Sequence, residues 1–142
     1  MSAEAGSAIT TYFRVCDGVR VRFANNKADS DVTVLMLAPW PESLWAFRRI
    51  WDRVSTVGRA VAIDMPGFGH SDGRPELIAP DASGAFLASC RGRTTSTSTT
   101  SSPNSEIHSL EAGHFAWEQA AEEYGRLVVD WVSGGYRRVL AG

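Results

Sequence analysis

Two short apolar segments separated by an amphipathic one constrain the fold of this chain more than any other feature. Residues 32–37 are rich in valine and leucine, and residues 59–64 read RAVAID. Continuous apolar runs of this length predict central strands that are buried on both faces of a sheet. Between them, four apolar residues recur at helical spacing: Leu44, Phe47, Trp51 and Val54. The order strand, helix, strand predicts a βαβ unit with parallel strands, and we expect Gly58 to end the helix in a left-handed conformation.

The residues on either side of this unit predict further elements. Residues 9–15 read as one strand, and residues 19–23 alternate valine or phenylalanine with arginine, which predicts a second strand with one solvent-exposed face. Asp17-Gly18 between them accepts the positive φ angles of a tight hairpin turn. A glycine-rich loop, PGFGHSDG, follows residue 65, and Asp81 is placed to cap a helix over residues 82–88.

A run of nine consecutive serines and threonines, residues 94–102, divides the chain. It offers no apolar side chain to bury, so nothing offsets the entropy lost on folding. We therefore expect three parts: an N-terminal α/β portion at 8–90, a low-complexity bridge at 91–105, and a C-terminal portion at 106–140. The last part is expected to add a strand at 106–110, a histidine-bearing loop and a final amphipathic helix to the same domain.

Composition and charge exclude several classes of protein. A net charge of −2 over 142 residues provides no basic field for nucleic acid. No apolar run approaches the roughly 18 residues that span a bilayer, and no signal-peptide pattern opens the sequence. Cys16 and Cys90 are too few for a disulfide framework, and neither they nor the three histidines have metal-ligand spacing. We expect a cytoplasmic domain with no cofactor, no metal, and no nucleic-acid or membrane partner.

Two longer segments resemble the α/β-hydrolase family, near the epoxide hydrolases and haloalkane dehalogenases. The first is LMLAPWPESLWAFRRIW followed by VAIDMPGFGHSDG, and the second is SLEAGHFAWEQAAEEYGRLVVDWV. The first is similar to the family's His-Gly-x-Pro turn and its D-x-P-G-x-G-x-S loop, and the second to its catalytic-histidine loop and final helix. The resemblance implies an α/β fold: a truncated α/β-hydrolase-type sheet with flanking helices. Residues 88–105 stand where the family carries its nucleophile strand, cap and catalytic acid.

The resemblance implies catalytic roles for His114 and Trp40. His114 matches the family's general base, since an imidazole with a pKa near neutrality can accept a proton from water or from a nucleophile. The backbone N–H of Trp40 matches an oxyanion donor, although Ala38-Pro39 replaces the family's His-Gly here. The structural alternatives are an exposed loop histidine without a partner and a packed tryptophan.

Ser71 is a weak nucleophile candidate. It lies in Gly69-His70-Ser71-Asp72-Gly73, which matches the G-x-S-x-G pattern of a nucleophile elbow. An elbow requires its serine directly between a strand and a helix, whereas loop residues separate Ser71 from the strand before it. In the family this loop serine does not react, and the aspartate matching Asp64 orders the loop.

The resemblance implies cofactor-independent hydrolysis of a small apolar substrate such as an epoxide, a haloalkane or an ester. Attack by a nucleophile would be followed by hydrolysis of the covalent intermediate with water activated at His114. Because the sequence offers no convincing nucleophile, we expect impaired activity. The alternative is a non-catalytic remnant or binding module produced by internal deletion or frameshift. We also expect self-association, since the strand at 32–37 lacks the neighbouring strand that family members place beside it.

The Ser/Thr run generates a test by limited proteolysis. Trypsin at low concentration should cleave at Arg91 and Arg93 before it cleaves elsewhere, and release two fragments that mass spectrometry identifies. The reason is that ordering each residue costs about 1–2 kcal/mol, which nine hydroxyl side chains cannot recover by burial. Protection of both arginines would show that the bridge is packed and that the three-part organisation is wrong.

Overall fold

The computed structural model describes residues 9–90 and 107–135, so the Ser/Thr run and the whole predicted bridge, 91–105, lie outside the described residues. The strands are β1 (Thr11–Cys16), β2 (Val19–Asn25), β3 (Thr33–Leu37) and β4 (Arg59–Ile63). The α-helices are α1 (Trp51–Ser55), α2 (Pro80–Cys90), α3 (Ala116–Gln119) and α4 (Ala121–Asp130). The remaining helical elements are two 3₁₀ turns, Leu44–Phe47 and Pro75–Leu77, and a π-helical turn, Trp131–Gly135. None of the described helices has the length and apolar character needed to cross a membrane.

The four strands form one mixed sheet in the order β1-β2-β4-β3. The hairpin of β1 and β2 is confirmed: Asp17 and Gly18 adopt φ angles of 46° and 72° at its turn. β4 pairs antiparallel with β2 and parallel with β3, in the register Leu35 to Val61. The parallel pair confirms the predicted βαβ unit.

The main core lies between one face of the sheet and the helices α1 and α4. The four apolar residues predicted to share a helix face are all buried there: Leu44, Phe47, Trp51 and Val54. The helix itself is divided into the 3₁₀ turn Leu44–Phe47 and the short α1. The prediction for Gly58 is wrong, because its φ is not positive. Glycine is needed at position 58 because the backbone of Val32 lies close to it. A Cβ at this position would lie 2.8 Å from the carbonyl oxygen of Val32.

On the opposite face of the sheet, α2 covers only one corner. Phe86 is buried against Val19 and Val21, at the end of the sheet formed by the β1–β2 hairpin. Beside this cluster an open cavity is floored by other residues of the same sheet face, among them Phe23 and Val61. The sheet is therefore covered over much of one face and only partly over the other.

The strand predicted at 106–110 is not formed over residues 107–110, which adopt an irregular conformation. Ile107 is 95% exposed, and the N–H of Ala112 donates to the carbonyl of Leu110 at 2.9 Å, which turns the chain there. An extended segment becomes a strand only when a partner edge meets its hydrogen-bonding groups. Within the described ranges β3 therefore lies at an edge of the sheet, as expected from its missing neighbour, although its apolar run alone predicts a central strand; Leu37 is exposed.

The outer side of β3 carries backbone groups that no described strand meets. Arg59 N–H donates to the Val32 carbonyl at 2.9 Å, and Ala38 N–H donates to the Ile63 carbonyl at 3.3 Å. The backbone N–H and C=O groups of the even-numbered residues of β3 thus point toward β4. Those of the odd-numbered residues point away from it. The strand, TVLML, contains no charged residue to discourage pairing with another chain.

This edge leads us to expect self-association of the purified chain, measured by size-exclusion chromatography with light scattering. Leu37→Lys should shift the chain toward monomer, because a lysine on an edge strand opposes strand addition. The matched control is Val15→Lys on β1, the other edge strand of the described sheet, where Val15 is already 65% exposed. A wild-type chain that elutes as a monodisperse monomer would contradict the prediction.

Candidate active site

Asp64 follows β4 directly and is the centre of the hydrogen bonding in this part of the molecule. Its side chain is completely buried, at 0% exposure. Its Oδ1 accepts the backbone N–H of Leu44 at 2.7 Å, and its Oδ2 accepts Nε of Arg22 at 2.7 Å and the backbone N–H of His70 at 2.8 Å. A buried carboxylate is tolerated only when it is paired and hydrogen-bonded in this way. Asp64 therefore joins β2, the first 3₁₀ turn and the glycine-rich loop.

Gly69 allows the glycine-rich loop to close over this carboxylate. Its φ is +55°, and a Cβ at this position would lie 2.0 Å from Oδ2 of Asp64. Only glycine fits so close an approach. Because both carboxylate oxygens are occupied by donors of the chain itself, Asp64 is an organising residue rather than a free nucleophile.

Ser71 is engaged on both sides of its hydroxyl group. Its Oγ donates to the backbone carbonyl of Asp64 at 2.8 Å and accepts the backbone N–H of Arg22 at 2.9 Å. β4 ends at Ile63, and the next helical turn begins only at Pro75. The sharp strand-to-helix turn of a nucleophile elbow is therefore not formed around Ser71.

Trp40 lies in an exposed turn just beyond the end of β3. The N–H of Glu42 donates to the carbonyl of Pro39 at 2.6 Å, which closes this turn. The Trp40 side chain is 74% exposed, so the packed-tryptophan alternative does not describe it. Among the residues that the structure describes, none accepts the backbone N–H of Trp40.

His114 lies in the loop before α3, where local contacts fix the backbone. Oε1 of Gln119 accepts the N–H of Gly113 at 2.7 Å, so the first helical turn reaches back to the loop. The imidazole contacts the edges of two aromatic rings, with centroid distances of 5.0 Å to Phe115 and 6.4 Å to Trp117. In the described ranges no side chain or backbone group hydrogen-bonds to this imidazole.

Salt bridges hold the histidine-bearing segment against the rest of the domain. Arg48 Nη1 lies 2.7 Å from Oε1 of Glu118, and Arg49 Nη1 donates to the Glu118 carbonyl at 2.8 Å. Arg53 forms a further pair with Glu122. Glu118 lies in the first turn of α3, and no local sequence pattern links it to the arginines between residues 44 and 55. These contacts position α3 and therefore His114.

A single apolar groove brings two of the three candidate segments together. It is lined by Pro39, next to Trp40, and by Trp117, whose ring contacts His114. Met36 of β3 and Tyr124 of α4 form part of its walls. Ser71 does not line this groove and is bonded instead around Asp64. Neither Trp40 nor His114 lines the groove itself, but each lies beside a residue that does, whereas Ser71 does not.

The two cysteines, which are far apart in the sequence, lie at the same corner of the structure. Both pack on the cluster around Phe86 and line the same open cavity. Burial, and then the neighbouring Cys16 side chain, raise the pKa of the Cys90 thiol to about 12. No local sequence pattern could have indicated this pair. In the described part of the chain, no three His, Cys, Asp or Glu side chains meet as a metal ion would require.

The fold in which these residues lie is that of the α/β-hydrolases. Similar solved structures include Cfl2 from Burkholderia cenocepacia, with 32% identity and a TM-score of 0.52 over 61% of this chain and 30% of that one. The epoxide hydrolase VrEH1 from Vigna radiata has 20% identity and a TM-score of 0.51 over 62% and 28% of the two chains. A haloalkane dehalogenase loop variant, DbeA-M1 from Bradyrhizobium elkanii, has 23% identity and a TM-score of 0.53 over 58% and 27%.

These similarities confirm the predicted fold class and the resemblance to α/β-hydrolases near the epoxide hydrolases and haloalkane dehalogenases. This chain spans less than a third of the length of each of the three structures. No protein-family model matches the sequence, and no curated protein is significantly similar to it.

The buried Asp64–Arg22 pair should dominate the effect of charge changes on stability. Asp64→Asn leaves the buried Arg22 without its countercharge and should lower the free energy of unfolding by about 3–5 kcal/mol. The matched control is Asp72→Asn, since Asp72 pairs with Arg20 at 3.5 Å where both side chains are half exposed. That change should cost no more than about 1 kcal/mol. Urea unfolding followed by tryptophan fluorescence compares the two, and equal small losses would contradict the assignment.

Proposed function

We propose that this chain carries the general-base and oxyanion-binding side of an α/β-hydrolase-type hydrolytic site. His114 is the general base, and the backbone N–H of Trp40 is the oxyanion donor. The observation that supports this assignment is the shared groove, which Pro39 and Trp117 line beside the two candidate residues. The fold similarity to epoxide hydrolases and a haloalkane dehalogenase supports hydrolysis as the reaction class.

The apolar groove favours a small apolar substrate such as an epoxide, a haloalkane or an ester. In such a reaction a nucleophile forms a covalent intermediate, which water then hydrolyses. A neutral imidazole at His114 would accept the proton of that water as the water attacks. The Trp40 N–H would donate to the oxygen on which negative charge develops, and this interaction stabilises the transition state more than the ground state.

We further propose that turnover by this chain alone is impaired. Ser71 uses its hydroxyl group to bond Asp64 and Arg22, and the carboxylate of Asp64 is saturated with donors. Neither group is placed at the groove beside Trp40 and Trp117. Nucleophile, base and acid act as a unit, so losing one member costs several orders of magnitude in rate.

The second candidate function is a non-catalytic binding module. The observation that favours it is an apolar groove bordered by an imidazole with no hydrogen-bond partner in the described ranges, in a chain whose hydroxyl candidate is occupied. A binding module would take up the same small apolar molecules without converting them. Quenching of Trp117 fluorescence by a non-hydrolysable substrate analogue, without turnover of the matching substrate, would distinguish it from a hydrolase.

An activity panel tests these proposals. With p-nitrophenyl esters, styrene oxide and a haloalkane, the wild-type chain should show no turnover above background, and His114→Ala should not change the rate. The reason is that neither candidate nucleophile among the described residues, Ser71 or Asp64, lines the groove. Ser71→Ala is the matched control, because it removes the only hydroxyl in a nucleophile-elbow pattern. Clear turnover that Ser71→Ala abolishes would overturn the impaired-hydrolase proposal and restore the elbow interpretation.

A further inference from the structure

The ends of β1 and α2 meet at a corner of the sheet, and each ends in a cysteine. Cys16 is the last residue of β1, and Cys90 is the last residue of α2. The residues beside them bond directly, since Oγ of Ser89 donates to Oδ2 of Asp17 at 3.0 Å. This bond holds the last turn of α2 against the hairpin, independently of the thiols themselves.

The thiols are both packed and accessible. Each contacts the cluster formed by Val19, Val21 and Phe86. Both also line the open cavity on this face of the sheet, and both are half-buried. A small oxidant can therefore reach the pair through this cavity.

We propose that Cys16 and Cys90 form a thiol-oxidation site that closes a disulfide between β1 and α2. The oxidant is a small dialkyl disulfide of the oxidised glutathione type. One S–S bond forms between the two cysteines and the S–S bond of the oxidant breaks. The two cysteine thiols are oxidised, and the oxidant takes up their two electrons and two protons to leave as two thiols.

The disulfide forms in two steps of thiol–disulfide exchange. One cysteine thiolate attacks the oxidant and forms a mixed disulfide, which releases the first small thiol. The other cysteine then loses its proton and attacks the sulfur of the first, which releases the second small thiol. The closed bond would hold α2 over its corner of the cavity. This modification does not depend on the hydrolytic site, because neither Trp40 nor His114 takes part.

The test uses the full chain, in which these are the only two cysteines. After treatment with oxidised glutathione, intact mass under non-reducing conditions should show a monomer lighter by two hydrogens, and thiol titration should find no free thiol. The melting temperature should rise by roughly 5 °C or more over the reduced chain, because the crosslink restricts the unfolded state. Dithiothreitol should reverse both changes.

Two single-cysteine variants and oxidation in urea are the controls for this test. Cys16→Ser and Cys90→Ser should each show no rise in melting temperature on oxidation, and Cys90→Ser should accumulate the mixed disulfide at Cys16. In urea, wild-type disulfide closure should require at least about tenfold more oxidant, because folding supplies the effective concentration of the two thiols. Free thiols that persist in the oxidised native chain, disulfide-linked dimers alone, or equal closure in urea would each overturn the proposal.

Discussion

The buried carboxylate of Asp64, paired with Arg22, joins the sheet to two segments outside its backbone ladder, the 3₁₀ turn after β3 and the glycine-rich loop after β4. The carboxylate accepts donors from β2, from the first 3₁₀ turn after β3 and from the glycine-rich loop after β4. Both partners are buried, with the Nε–Oδ2 distance at 2.7 Å. A buried pair of this kind contributes more to one defined arrangement than to net stability, while removing one partner is costly. The position of the loop, and of Ser71 within it, depends on this contact.

Local patterns explain which elements of the fold could be predicted from the sequence. Alternating residues and an Asp-Gly turn specify the hairpin, and two apolar runs around an amphipathic segment specify the parallel pair. The errors concern interactions between distant residues. Residues 107–110 look strand-like but meet no strand edge in the described ranges, and β3 lies at an edge for the same reason. Gly58 is needed because Val32 approaches it, which no property of its own helix reveals.

In the candidate site too, local sequence motifs identified individual residues, whereas contacts between distant segments could not be predicted. The motif-like segments pointed to Trp40 and His114, and each lies next to a residue that lines the shared groove. The contacts that hold these segments in place were not visible in the sequence, because Arg48 and Glu118 belong to different segments that meet only in the fold. The proximity of Cys16 and Cys90 could not be predicted for the same reason. Neither periodicity nor ligand spacing links the end of a strand to the end of a later helix.

The two halves of the site are supported by different sets of contacts, and this separation bears on what the chain can do. The glycine-rich loop is held by Asp64 and Arg22, whereas the histidine loop is held by Gln119 within its own helix and by arginines near α1 that bind Glu118. A hydroxyl group bonded to the backbone on both sides must break those bonds before it can attack a substrate, and the buried carboxylate depends on the same loop. Structural use of Ser71 therefore competes with catalytic use. The loop that carries His114 has no such conflict, because its contacts do not use the imidazole as a hydrogen-bond donor or acceptor within the described ranges.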